Sequence, residues 1–375
     1  MPFGSIEIIQ ENTASGGITA VERTALFIGA GGASAQADVV HTIGQQTDLD
    51  AILGAEDSEL KTQIAAAALN AGPNFTAWAI ALDSLTWDEA LEAALDAGND
   101  IYPEQTVVTD PITTDAEVDA MQAAAVAALN VYGKYITIHA CVAGIDPATQ
   151  TWADYMAATK AIINGKACDR VSVTPQLHGN NLGVVIGRLN STDVSIADTP
   201  MRVRTGALIG LGAAPVDSTD QPLTLAHLKE LSEARFSVPK WYTEFDGMYW
   251  ADHPLLDAAG GDFQVYENKR VIDYVTRRVR VLMIQKIADR SLNSSKSSTG
   301  YHETFFMKPI KDAAKGTVLN GEPKPGLVKN PQKGDIAITW KTNTEVELAI
   351  LAAPIDCPKK ITTRIALDLN RLGAE

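Results

Sequence analysis

Between residues 23 and 173 the sequence alternates between short apolar runs and longer, Ala-rich stretches of helical period. This alternation constrains the fold more than any other feature. Residues 23–29, 75–82, 105–109, 135–142 and 170–173 read as strands. The first, RTALFIG, is continuously apolar, as a strand covered on both faces must be. Residues 57–72, 87–97, 115–130 and 152–164 read as helices. Thr86 and Glu89 form a capping box before the second, and Gly133 stops the third. Strands alternating with helices of about 11–16 residues predict an α/β layer around a largely parallel sheet.

The pattern then loosens. Residues 180–190 (NNLGVVIGRLN) fit a packed helix, and 223–234 a further helix. Residues 238–243 and 247–253 read as strands carrying Trp241, Tyr242, Tyr249 and Trp250 into a core. Residues 263–295 read as one long helix with an extended entry. Ile272, Val275, Val279, Leu282, Met283 and Ile287 share one face, and Arg270, Arg277 and Arg280 another. A second helical stretch follows at 301–315, then an antiparallel pair at 335–341 and 345–352.

Both ends of the chain are short extended runs without a hairpin partner. Residues 5–11 (SIEIIQE) carry Ile6, Ile8 and Ile9. Residues 360–370 place Ile361, Thr363, Ile365, Leu367 and Leu369 on one face. A lone strand cannot satisfy its own backbone groups, so an ordered one must join a sheet edge elsewhere; a frayed terminus is the alternative.

Charge is unevenly distributed. The 375 residues carry a net −15, resolved into −18 over residues 1–150, −4 over 151–262 and +7 over 263–375. A basic C-terminal third on an acidic chain points to an acidic partner, while the acidic remainder argues against nucleic-acid binding by the whole chain. No apolar run approaches the roughly 20 residues that span a bilayer, so no membrane insertion is expected. MPFGSIEIIQEN lacks the basic and apolar regions of a secretory signal. Cys141, Cys168 and Cys357 are expected to be buried, reduced thiols.

Signatures of chemistry are few. There is no nucleophile elbow and no phosphate loop. His139 and Cys141 face the same way on a strand but lack a second ligand pair, so they read as core; His178 has no visible partner. No catalytic, cofactor or metal site is expected. The competing enzyme reading places a nicotinamide cofactor on the Gly29–Gly31 turn, although Ser34 stands at the third glycine position.

Several segments, in order, resemble the sheath proteins of contractile phage tails and related injection systems. Residues 18–29 (ITAVERTALFIG) resemble the family's arm and first strand. Residues 169–200 resemble its loop, packed segment and Asp-containing loop, with Arg188, Asp193 and Pro200 at matching places. Residues 247–256 and 266–291 resemble its aromatic strand and basic helix, and 360–370 its final strand. The resemblance implies an outward α/β domain, an inward α+β core domain, and extended N- and C-terminal strand arms that donate strands to neighbouring subunits. It divides the chain into 1–22, 23–245, 246–358 and 359–375. It implies a non-enzymatic virion subunit, assembled in the host cytoplasm into stacked hexameric rings around an inner tail tube, with baseplate and tail terminator proteins at the ends. Arg270, Arg277 and Arg280 would face the tube. A different virion or secretion assembly protein, such as a tube or shell subunit, is the other structural alternative.

Overall fold

The computed structural model describes residues 21–96, 101–319 and 321–367. Strands β1 (Ala25–Ala30), β2 (His41–Gly44), β3 (Thr76–Leu82), β4 (Gln105–Val108), β5 (Thr137–Val142) and β6 (Val171–Pro175) form one sheet in the order β2-β3-β1-β4-β5-β6. All pairs are parallel except β2–β3. The five strands expected between 23 and 173 are all present, with ends within two residues. β2 lies within residues 37–46, whose sequence reads as a weak helix; an edge strand of four residues is too short to carry a strand signal.

Side chains alternate across the sheet at the strand period of two. Leu26, Ile28, Ile80, Val108, Ile138 and Ala140 enter one core, and Phe27, Ala79, Ala81, Val107 and Cys141 enter the other. After the short α1 (Leu49–Leu53) comes α2 (Glu59–Ala71), which covers the second face together with α6 (Asn181–Asn190). The first face is covered by α3 (Trp87–Leu95), α4 (Asp115–Tyr132), α5 (Trp152–Ile163) and α7 (Leu225–Glu233). Helix α6 is buried along its whole length. It approaches α2 so closely that a Cβ on Gly183 or Gly187 would collide with the backbone carbonyls of Gln63 and Ala67. Gln63 ties the two together, donating to Gly179 O at 2.8 Å and accepting from Gly183 N at 2.7 Å.

Strands β7 (Val238–Tyr242) and β8 (Phe245–Asp252) form an antiparallel hairpin whose Trp250 is fully buried in the second core. The boundary expected at 246 therefore falls inside a strand that belongs to the α/β body.

Helix α8 (Tyr266–Ile284) leads to a smaller unit: α9 (Lys296–Phe306), α10 (Lys308–Ala313), the ribbon β9 (Thr317–Leu319)–β10 (Glu322–Lys324), and the ribbon β11 (Ile336–Trp340)–β12 (Val346–Ile350). Val271, Val275 and Val279 of α8 pack with Phe306, Ile310, Val328 and Ile336 into a third core. The helix ends at Ile284, not near 295. Turns occupy residues 285–292, and Ala288 lies at φ 59°, outside helical space. The buried stripe is accordingly 271/275/279. Ile272 and Leu282 are half-buried, whereas Met283 and Ile287 are exposed.

Candidate functional site

The basic face of α8 points inward. Arg270 and Arg277, expected on a tube-facing surface, are only 3% and 5% exposed. Arg270 makes a two-pronged pair with Glu104, Nε to Oε1 at 2.7 Å and Nη2 to Oε2 at 2.8 Å, and its Nη1 donates to Leu189 O at 3.2 Å. Glu104 also accepts the Arg23 backbone N–H at 2.7 Å. Arg277 donates to Glu22 at 2.7 Å, and Arg278 reaches the same oxygen at 3.0 Å. Lys269 meets Asp169 at 2.6 Å, and Asp273 receives both prongs of Arg170 at 2.9 and 3.1 Å. Four successive pairings thus dock one face of α8 onto the α/β body, while its valines face the third core. Arg280 alone of the three predicted arginines is exposed.

Burial raises the proton affinity of both Glu104 and Glu22, but their arginines outweigh it. Glu104 is held below the usual carboxylate range, and Glu22 is held down at about 2. Both stay charged in the folded chain. A buried pair of this kind specifies one docking geometry more than it adds net stability.

Beneath the start of α8 lies a buried polar chain. Trp250 Nε1 donates to Ser237 Oγ at 2.8 Å, Ser237 Oγ lies 2.6 Å from His253 Nδ1, and His253 Nε2 lies 2.9 Å from His139 Nδ1. With both imidazoles neutral, a single proton lies between the two rings, and its donor depends on the tautomer. Protonating both rings would set two N–H groups against each other. Burial, reinforced by Arg270 and Lys359, depresses His253 to about 3; burial and His253 likewise depress His139. His139 and Cys141 are core residues, and no group of three or more potential metal ligands gathers among the described residues. His178 is held by Asn181 in the turn before α6. Cys141 and Cys168 are buried as expected, but Cys357 is exposed, because it lies on the final stretch beyond the third core.

The Gly29–Gly31 turn is filled by the chain itself. The Ala30 N–H donates to the Asp110 carboxylate at 3.1 Å, Gly29 packs on Thr109, and Gly31 on Ala35 and Ala81. The chain then runs into a loop and the antiparallel β2, so the helix that a dinucleotide fingerprint opens does not follow the turn. The nicotinamide reading has no geometric basis here.

At the C-terminal end, Lys359 donates to both Asp252 carboxylate oxygens at 2.8 and 3.0 Å. It also lies 2.9 Å from the buried Glu267 in the first turn of α8. From residue 360 to residue 367 every position is exposed and outside any strand. Ile361 is 83%, Ile365 91% and Leu367 82% exposed. Thr363 shares that exposure. Ile6, Ile8, Ile9 and Leu369 lie outside the described residues.

Residues 3–254 match the family DUF2586, N-terminal domain, and residues 262–370 match DUF2586, C-terminal domain. The chain is 40% identical over 377 residues to the "Putative tail sheath protein" of Haemophilus phage HP1 (strain HP1c1), covering 99% of this chain and all of the relative. Its fold is similar to that of a sheath tail protein from Desulfitobacterium hafniense (TM-score 0.55, 12% identity, 98% of this chain and 100% of the other). It is similar also to a sheath tail protein from Listeria innocua (TM-score 0.53, 11% identity, 90% and 93%). A third likeness is to a chain of the anti-feeding prophage baseplate in its contracted state (TM-score 0.53, 10% identity, 98% of each chain). The chain belongs to the DUF2586 family and, with it, to the tail sheath proteins of contractile systems.

Proposed function

We propose that this chain is a structural, non-enzymatic subunit that polymerises into a helical sheath around an inner tail tube, as stacked hexameric rings. Contraction of that sheath drives the tube through a target envelope. The observation that carries the reading is the exposed C-terminal run: apolar side chains at alternating positions beyond Lys359, with no partner strand among the described residues. Such a run gains its backbone hydrogen bonds only from another chain's sheet. The β11–β12 ribbon is a fitting receiver, with both outer edges free of a further strand among the described residues. Its Ile336, Ile338, Leu348 and Ile350 face the third core, leaving the edges to be extended.

The 40% identity to a phage protein favours a virion tail, assembled in the host cytoplasm, over a secretion apparatus. Baseplate and tail terminator proteins would close its ends. The tube-facing surface is then the exposed end of α8 and the turns after it, with Arg280, Met283, Ile284, Ile287 and Arg290, not Arg270 and Arg277. Negative-stain microscopy of the purified protein tests the reading: regular tubes are expected from the full chain. Deleting residues 1–12 or 360–375 leaves a folded monomer that forms none. Normal tubes from both truncations would refute strand donation.

A further inference from the structure

Both ends of the described body are clamped to the same helix. At the N-terminal end, Glu22 binds Arg277 and Arg278, and the next residue, Arg23, donates its backbone N–H to the Glu104 that holds Arg270. Arg23 sits at φ 67° and sends its side chain to Val194 O at 2.6 Å, so the chain turns sharply here before entering β1. At the C-terminal end, Lys359 is the last half-buried position among the described residues. It is pinned between Asp252, at the end of β8, and Glu267, on α8. Glu267 and Arg278 are eleven residues apart, three helical turns, which places them on one face and roughly 16 Å apart at 1.5 Å per residue.

We propose that α8 is the common mount of the two terminal arms. Glu22 and Lys359 are positioning residues that fix where each arm leaves the body, and both hold their arm root to the same helix. This rests on the strand-donating reading above. The clamps suit the task because each closes on a charge that has little else to bind. Burial raises the proton affinity of Glu267, and Lys359, the cation that faces it, opposes this; burial lowers the proton affinity of Lys359, but Glu267 and Asp252 more than reverse this. The Glu22 carboxylate takes both of its cations from α8. Each arm root is held at its clamp, and the described residues beyond Lys359 are exposed and outside any strand. A subunit can then rotate within its lattice while its arm roots keep a fixed separation.

The test uses the full chain with Cys357→Ser and a nitroxide on Ile361→Cys, two residues beyond the clamp. Cys141 and Cys168 stay unlabelled, because burial raises both thiols, Cys141 to about 12. Lys359→Met is expected to sharpen the monomer's spectrum to that of a free tail, and Lys359→Arg to restore the broad component. If the unclamped root adopts its productive direction about a tenth of the time, the tube-forming concentration rises about tenfold, again recovered by Lys359→Arg. An unchanged spectrum in Lys359→Met overturns the mount. A sharpened spectrum with tubes at the parent's threshold overturns the positioning role. If the unlabelled, unsubstituted chain forms no tubes, the strand-donating reading fails, while the spectrum still decides whether α8 holds the root.

Discussion

Replacing Arg270 separates the tube-facing account of α8 read from the sequence from the buried seam seen in the structure. On an outer surface, Arg270→Glu would lower affinity for an acidic partner and leave the fold intact. In the structure its guanidinium is almost wholly enclosed and shares both prongs with Glu104. Arg270→Met removes the charge and strands Glu104 with one remaining donor, the Arg23 N–H. Breaking a buried pair from one side costs about 3–5 kcal/mol. Arg270→Glu is worse, because two carboxylates then share one dry site and one must protonate at neutral pH. Against a total stability of about 5–15 kcal/mol for an ordinary domain, 4 kcal/mol is a large loss. At about 2–4 °C per kcal/mol for chains of 150–250 residues, it lowers the melting temperature by roughly 8–16 °C.

The assay is thermal and urea unfolding of the purified full chain, followed by tryptophan fluorescence and circular dichroism. Trp250 sits beneath the start of α8 and reports on its docking. Arg270→Met and Glu104→Leu should each destabilise strongly. Their combination should recover most of the loss, because an apolar pair of similar volume leaves no orphan charge. The expected coupling in the double-mutant cycle is about 2 kcal/mol or more. A melting temperature for Arg270→Met within about 2 °C of the parent would refute the docking seam.

Three further outcomes follow from the same coordinates. Gly187→Ala drives a methyl group into the Ala67 backbone carbonyl across the α2–α6 contact, where no side chain can yield, so it should cost about 1–3 kcal/mol in urea unfolding; a neutral substitution would mean that the helices stand further apart. Glu22, depressed from 4.5 to about 2, contributes stability that is fully present above its unfolded value and lost as pH falls toward 2. Allowing for solvent screening, the advantage of parent over Glu22→Gln should be about 1–2 kcal/mol at pH 6 and vanish on acidification; His139 and His253 titrate in both proteins and cancel in the comparison, and a difference that widened in acid would contradict the sign. Arg280→Glu, on the exposed face, should leave the melting temperature unchanged but reduce co-sedimentation with purified tail tubes, and undiminished co-sedimentation would move the tube contact elsewhere.

The α/β body was legible because each strand and helix there is strongly periodic and buried on a predictable face: Phe27 and Leu26 must part to opposite sides of the sheet whatever surrounds them. The antiparallel pair near the C-terminus was legible for the same reason. What α8 does was not. Its arginine spacing defines a face but not what covers that face. The covering acids, Glu22 and Glu104, lie 255 and 166 residues from their partners and look in sequence like ordinary charges at the mouths of strands. Only the paired entry of β1 and β4 into the sheet brings them side by side, with Thr24 O accepting the Glu104 and Gln105 N–H groups. The charge split, −18 against +7, was real information read at the wrong scale. Part of it describes how the chain binds itself: basic residues of α8 are consumed by acids of the first 170 residues before any partner arrives. The exposed cations of the C-terminal unit, Arg280 and Arg290 among them, are what remains to recognise another surface. Any estimate of tube affinity must therefore start from that smaller set.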